Sequence, residues 1–184
     1  MIYELNQGFN IIKLSRNNAD INCDLSVSTP SLPIFDTVIH SAGKAHSIPK
    51  TESEKESFFD INVGGTVNLL KALEQSDIPG RFVFISSVSV YGLSSGLSIN
   101  ENSDLNAQDA YGLSKIQAEK LIQEWCIKKN ILCTILRLPL IAGCNPPGNL
   151  GNMIKGIRRG YYFNIEGGCA KKSMVLAEDV AKFI

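Results

Sequence analysis

The feature that most constrains this chain is the way two kinds of apolar pattern alternate along it. Short runs rich in Ile, Val and Phe lie at residues 10–14, 36–39, 81–86 and 131–138. Apolar residues follow one another in them without strict alternation, as in strands buried on both faces. Between them lie longer segments at 51–76 and 108–130 with apolar residues three and four apart, such as Leu113, Ile116, Leu121, Ile122 and Trp125 in the second. Strand, helix, strand, helix predicts an α/β fold with a doubly wound parallel sheet and right-handed crossovers. Pro79 and Gly80 end a helix before a strand, and Pro139, Gly143, Pro146, Pro147 and Gly148 make a loop after the last strand.

Composition narrows the partners. The chain has 184 residues, 44% of them hydrophobic, enough for about one domain with a full core. Eighteen Lys plus Arg balance eighteen Asp plus Glu, so no broad basic field draws in nucleic acid or an anionic membrane. Cys23, Cys126, Cys133, Cys144 and Cys169 are scattered, odd in number and form no CxxC pair, which speaks against a disulfide framework or a metal site and for a reduced cytoplasm. No apolar stretch reaches the roughly 20 residues of a membrane span.

Chemistry first shows at Tyr111-Gly112-Leu113-Ser114-Lys115, at the start of a helical segment. Residues four apart share one helix face, so Lys115 lies beside the Tyr111 phenol. A phenol has an ordinary pKa of about 10 and does proton work near neutrality only where a positive charge and a hydrogen bond favour the phenolate. The same pair also occurs on ordinary helices that carry a half-buried tyrosine. What lifts it is Phe84-Ile85-Ser86-Ser87-Val88-Ser89-Val90-Tyr91-Gly92, a strand that ends in hydroxyls at the edge where open α/β sheets place ligands. Ser86, Ser87 and Ser89 fit strand termination as well. His40 and His46 have no metal-ligand partners in the sequence and take no role.

Five ordered motifs then resemble one family: Val38 to Gly43, Asn62-Val63-Gly64-Gly65-Thr66, Ser86-Ser87 through Tyr91-Gly92, Tyr111 to Lys115, and Leu136-Arg137-Leu138-Pro139. Together they resemble the extended short-chain dehydrogenase/reductases, and within them the NAD-dependent epimerase/dehydratase family. The resemblance implies a Rossmann fold that binds NAD or NADP, with Tyr111 as acid/base, Lys115 lowering its pKa and holding the cofactor ribose, and Ser87 orienting a sugar hydroxyl. It further implies cofactor contacts from Asp24, Leu25, Ala42, Gly43, Asn62, Ser86 and Pro139, and a substrate contact from Asn149. Each of these residues also fits a scaffolding role, Gly43 as a tight strand exit and Asp24 as the start of a turn. After the second strand of the fold, Leu14-Ser15-Arg16-Asn17 offers Arg16 and no acid, which tilts the cofactor toward NADP, although Arg16 also fits a solvated loop charge.

Residues 1–7 read as the end of a helix that feeds the strand at 10–14, and no GxGxxG or GxxGxxG occurs. The expectation is therefore a sheet that lacks its first strand and Gly-rich loop, with residues 1–145 a partial cofactor domain and 146–184 the start of a sugar-nucleotide region. Such a chain would expose strand edges and be marginally stable. Family dehydratases carry Asp-Glu after the active-site hydroxyl, where this chain has Val88-Ser89, so oxidation and reduction at sugar C4 is the reaction expected. The implied protein is a nucleotide-sugar epimerase or oxidoreductase of bacterial polysaccharide-sugar metabolism, working through a 4-keto sugar on a nucleotide-diphosphate sugar, and a possible homodimer. A non-catalytic NAD(P)-binding relative and an inactive truncated fragment are the alternatives.

Overall fold

A computed structural model describes residues 8–45, 47–144, 146, 148–161 and 171–184, without the side chain of Asn149. His46, Pro147, Cys169 and residues 1–7, which the sequence reading singles out, lie outside the described residues. Two compact units form, one of residues 12–137 and one of residues 138–184 with those up to 11.

The first unit is built on a sheet of order β3-β4-β5, made of β3 (Thr37–His40), β4 (Arg81–Ser87) and β5 (Leu132–Leu138). β3 and β4 run parallel, with Val38 opposite Phe82 and His40 opposite Phe84. Before them, β1 (Leu14–Ser15) and β2 (Ile21–Asn22) form a parallel pair of two residues each. The strand expected over 10–14 is thus corrected to begin at Leu14. The Lys13 amide donates to the Asp20 carboxylate at 2.8 Å, so a side chain takes the place of a strand neighbour there.

The helical segment expected over 51–76 is three elements: α1 (Glu52–Phe59), a π-helical turn at Asp60–Gly64, and α2 (Gly65–Gln75). Thr51 caps α1 by accepting from the Glu54 amide. α3 (Ala110–Lys129) matches the expected segment closely, because its ends are chemically marked. The Asp109 side chain accepts from the Gly112 amide, and Asn130 closes the helix in the left-handed conformation at φ 55°. Leu69 and Leu73 of α2 pack with Phe82 and Phe84 of β4 and with Ala118, Ile122, Trp125 and Cys126 of α3 in one buried cluster. The Phe82 and Trp125 rings meet edge to face at 6.0 Å.

A 3-10 turn at Val88–Tyr91 carries the chain off β4. Gly92 follows at φ 66°, and a Cβ there would stand 2.2 Å from the Asn106 carbonyl oxygen. The Ala107 amide donates to the Val90 carbonyl at 3.2 Å, so residues 93–106 leave and rejoin the structure at one point. Leu93, Leu97 and Ile99 of this excursion are exposed.

The second unit contains β6 (Leu140–Ala142) paired parallel with β7 (Met174–Leu176), together with α4 (Gly148–Arg158) and α5 (Ala177–Phe183). Among the described residues no helix is long and apolar enough to cross a membrane.

Candidate active site

The site is assembled at the carboxyl end of β4. The buried run Phe82, Val83, Phe84 fixes the strand, and Ser87, the last residue before the 3-10 turn, keeps extended backbone. Its hydroxyl donates to the Ser89 hydroxyl at 3.1 Å and accepts from the Ser89 amide at 3.2 Å. α3 delivers Tyr111 in its first turn, where the nearby Ser87 hydroxyl favours the phenolate. The Tyr111 ring lies 6.2 Å from that of Phe58, which is fully buried on α1.

Lys115, one turn further along α3, is only 5% exposed. Its ammonium donates to the Ile85 carbonyl at 3.0 Å and sits 4.6 Å above the Phe84 ring. Burial pulls the Lys115 pKa from 10.5 down to about 8, while the Glu119 carboxylate pushes it back up. Tyr111 moves the other way from the sequence expectation. Burial raises its pKa, the Ser87 hydrogen bond opposes that, and the Asp109 carboxylate adds to it. Lys115 is therefore not what sets the phenol in this arrangement, because its ammonium is turned to the Ile85 carbonyl.

The buried ammonium has a measurable consequence. Below about pH 8 the fold holds a charge that its surroundings disfavour, and this cost fades as pH rises through 8 toward the ordinary 10.5. Lys115→Met is expected to stabilise the chain at pH 7 by roughly 2 kcal/mol, after allowing for the lost Ile85 bond, and to destabilise it by about 1 kcal/mol, that bond alone, above about pH 10.5. Urea unfolding at pH 7 and pH 10.5 measures this, and a destabilised variant at pH 7 would show the reading to be wrong.

Asn62, in the π-helical turn, is 2% exposed and faces inward. Its Oδ1 accepts from the Lys44 amide at 2.6 Å, and its Nδ2 donates to the Lys44 carbonyl at 3.2 Å and to the Ser114 hydroxyl at 2.8 Å. Ser114 in turn donates to the Tyr111 carbonyl at 2.8 Å. Asn62 thus ties the loop after β3 to the helix that carries Tyr111, and both its N–H groups are used within the protein. Gly43 lies against the same group: a Cβ there would be 3.0 Å from Asn62 Oδ1 and 3.4 Å from Lys115 Nζ.

Ser86 is buried and turned away from Ser87, donating to Glu119 Oε1. Asp24 caps its own turn, its carboxylate taking the Ser26 amide and hydroxyl at 3.0 and 2.7 Å, which lowers its pKa. Leu25 is buried beside Gly65, while Arg16 and Ala42 are exposed. Pro139 is half-buried in the second unit, and the Asn149 side chain lies outside the described residues. His40 stays neutral: burial, and then the Lys115 charge, lower its pKa to about 3. Thr66 Oγ1 donates to the Asn62 carbonyl at 2.6 Å, so at 2.9 Å it accepts from His40 Nε2–H.

The sequence reading missed Glu119. The available signal was a carboxylate on the face of α3 that otherwise buries Lys115, Ala118, Ile122 and Trp125. Glu119 is 2% exposed and pairs with Arg137 of β5 at 2.9 and 3.1 Å, and Arg137 also reaches the Tyr91 hydroxyl at 3.3 Å and the Glu101 carbonyl at 3.1 Å. Taken together, a phenol and a hydroxyl in contact, with a buried ammonium one turn away, can hold an oxygen and move its proton.

Residues 6–184 match the description NAD dependent epimerase/dehydratase family. The chain is 34% identical over 152 residues to N-acetyl-alpha-D-glucosaminyl-diphospho-ditrans,octacis-undecaprenol 4-epimerase of Escherichia coli O157:H7, covering 82% of this chain and 44% of the relative. It is 31% identical over 143 residues to UDP-glucose 4-epimerase of Vibrio cholerae, covering 74% of this chain and 43% of the relative. The chain therefore spans less than half the length of these curated relatives. Among solved structures it resembles RMD from Pseudomonas aeruginosa complexed with NADPH, with TM-score 0.65 and 28% identity over 80% of this chain and 52% of that one. It shares the fold of MoeE5 in complex with UDP-glucose and NAD, with TM-score 0.77 and 24% identity over 98% of this chain and 64% of that one. The α/β fold is of the Rossmann type, as the sequence predicts.

Proposed function

Because the chain belongs to the NAD dependent epimerase/dehydratase family, we propose that it serves a nucleotide-sugar epimerase or oxidoreductase acting at C4 through a 4-keto sugar, in polysaccharide-sugar metabolism. The observation that carries this reading is that Ser87, at the end of β4, lies close enough to the Tyr111 phenol to favour its ionised form, with the buried Lys115 one turn along the same helix. Curated relatives named as 4-epimerases support it, as does GDP-6-deoxy-D-mannose reductase of Pseudomonas aeruginosa, 38% identical over 100 residues. Val88 and Ser89 are neutral, so no acidic pair stands beside Ser87 to eliminate water.

The residues present fit a nicotinamide cofactor. Only a residue without a side chain leaves room between Gly43, Asn62 and Lys115, and Lys115 has further N–H donors besides the one given to Ile85. Ala42, Gly43, Tyr111 and Lys115 would hold its nicotinamide and ribose side, Asp24 and Leu25 its adenine, and Pro139 its amide, with Asn62 and Ser86 acting by position. Arg16, exposed directly after β1, favours NADP. When bound, the cofactor supplies a hydride acceptor and donor. The chain's own part is to take the proton of the sugar C4 hydroxyl at Tyr111 Oη in its phenolate form, to orient that oxygen with Ser87 Oγ, and to counter the phenolate charge beforehand with Lys115, whose ammonium would turn from the Ile85 carbonyl toward the phenol for this step. A cofactor part at residues 1–145, a sugar-nucleotide part at 146–184 that includes Asn149, and a homodimer belong to the same proposal.

Fluorescence titration with NADPH and with NADH tests this reading. Saturable binding in the micromolar range is expected, tighter for NADPH, and Tyr111→Phe should keep the affinity within about twofold because it removes one hydroxyl and no charge. A folded chain that binds neither dinucleotide would overturn it.

A further inference from the structure

Glu119 is charged, fully enclosed and outside the chemistry assigned to Ser87, Tyr111 and Lys115. Its two oxygens meet three elements at once. Oε1 takes the Ser86 hydroxyl at the end of β4, Oε2 takes Arg137 Nη2 from β5 at 2.9 Å, and both take Arg137 Nε at 3.1–3.3 Å. The residue sits four positions after Lys115, so both side chains rise from one face of α3.

Every other group around the Lys115 ammonium is neutral or already partnered. β3 contributes His40, which is uncharged and bonded to Thr66. β4 contributes the Ile85 carbonyl and the Phe84 ring, and the π-helical turn contributes Asn62. Arg137 of β5 is a cation bound to Glu119 on its other side. Glu119 is thus the buried anion among the described residues that can oppose the desolvation of Lys115.

We propose that Glu119 is a positioning residue: clamped by Arg137 and Ser86, it holds a fixed negative charge behind Lys115 that keeps the ammonium protonated, and it locks the end of β4 from which Ser87 projects. The inference builds on the proposed function only in giving Lys115 a task, because the charge state of Lys115 is set without any ligand.

The test follows the Lys115 side chain by 13C NMR in lysine-labelled chain, with Lys115→Arg for assignment. Wild type should show a midpoint near 8 for Lys115, below its ordinary 10.5. Glu119→Gln keeps an acceptor for Ser86 but removes the charge, and it should lower the midpoint by about one unit. Glu119→Asp, which restores the charge, should bring back most of the shift, a rescue that a purely structural role would not give. An unmoved midpoint in a folded Glu119→Gln chain overturns the proposal. Should that variant not fold, the Glu119 carboxyl carbon of glutamate-labelled wild type decides, because its chemical shift responds to the charge on a group close by. An inflection at the Lys115 midpoint, absent from Lys115→Met, supports the coupling, and its absence in wild type rejects it. Failure to bind dinucleotide with this coupling intact would count against the proposed function alone.

Discussion

Arg137→Met should cost the fold roughly 4 kcal/mol, the expected price of leaving one partner of a buried ion pair alone. The guanidinium makes a forked contact with Glu119 at 2.9 and 3.1 Å, and the carboxylate side chain is 2% exposed while that of Arg137 is 17% exposed. Methionine fills the volume of the stem but leaves the carboxylate with only the Ser86 hydroxyl among the partners described here. The Tyr91 hydroxyl and the Glu101 carbonyl lose a donor as well. Adding Glu119→Gln to the same chain removes the stranded charge and should recover most of the loss. The exposed pair Lys55–Glu52, at 2.6 Å, is the control: Lys55→Ala should change stability by less than about 0.5 kcal/mol. Urea unfolding of the three variants beside wild type measures all of this. A loss under about 1 kcal/mol for Arg137→Met would mean that water reaches Glu119 and the pair is not buried in solution.

Gly92→Ala should be nearly as damaging, at about 3 kcal/mol, for a reason that lies in the backbone. The position has φ 66°, a conformation that costs a residue with a Cβ about 1 kcal/mol or more. The added carbon would stand 2.2 Å from the Asn106 oxygen and 2.7 Å from the Ala107 nitrogen, and neither atom is at the end of a flexible side chain. Relief requires residues 106 and 107 to move, which breaks the bond from the Ala107 amide to the Val90 carbonyl. Ala107 also touches the place where a Cβ on Gly112 would lie, so the disturbance passes to the first turn of α3 beside Tyr111. Hydrogen exchange should show the Ala107 amide losing protection while amides of β4 keep theirs. An unchanged Ala107 would contradict the account.

The sequence made the central sheet and α3 legible because each carries redundant signals. β4 is a run of Phe, Val and Ile after Pro79 and Gly80, and α3 has an apolar stripe with Asp109 and Asn130 at its ends. The nearness of Lys115 to Tyr111 was legible because residues four apart share a helix face, whereas Ser87 entered through the likeness of its strand end to a family motif. The π-helical turn at Asp60–Gly64 was not, because a single widened turn hardly disturbs three- and four-residue spacing. β2, β6 and β7 span only two or three residues, too few to show a period. The inward role of Asn62, and the pairing of Glu119 with Arg137, depend on residues 18 or more positions apart meeting across elements, which no local pattern encodes.

The excursion of residues 93–106 is pinned where Val90 meets Ala107 and again where the Glu101 carbonyl accepts from Arg137, and is otherwise largely exposed, with Leu97 at 96%. Lengthening such a segment costs only the slow logarithmic growth of loop closure, and the strain stops at the pinned base. The chain therefore keeps its hydroxyl and phenol on a frame that does not register what is grafted between them. Variation and laboratory selection can rewrite the exposed side chains of this excursion, because its two ties, at Glu101 and at its base, are made by backbone groups, while the reacting groups stay in place.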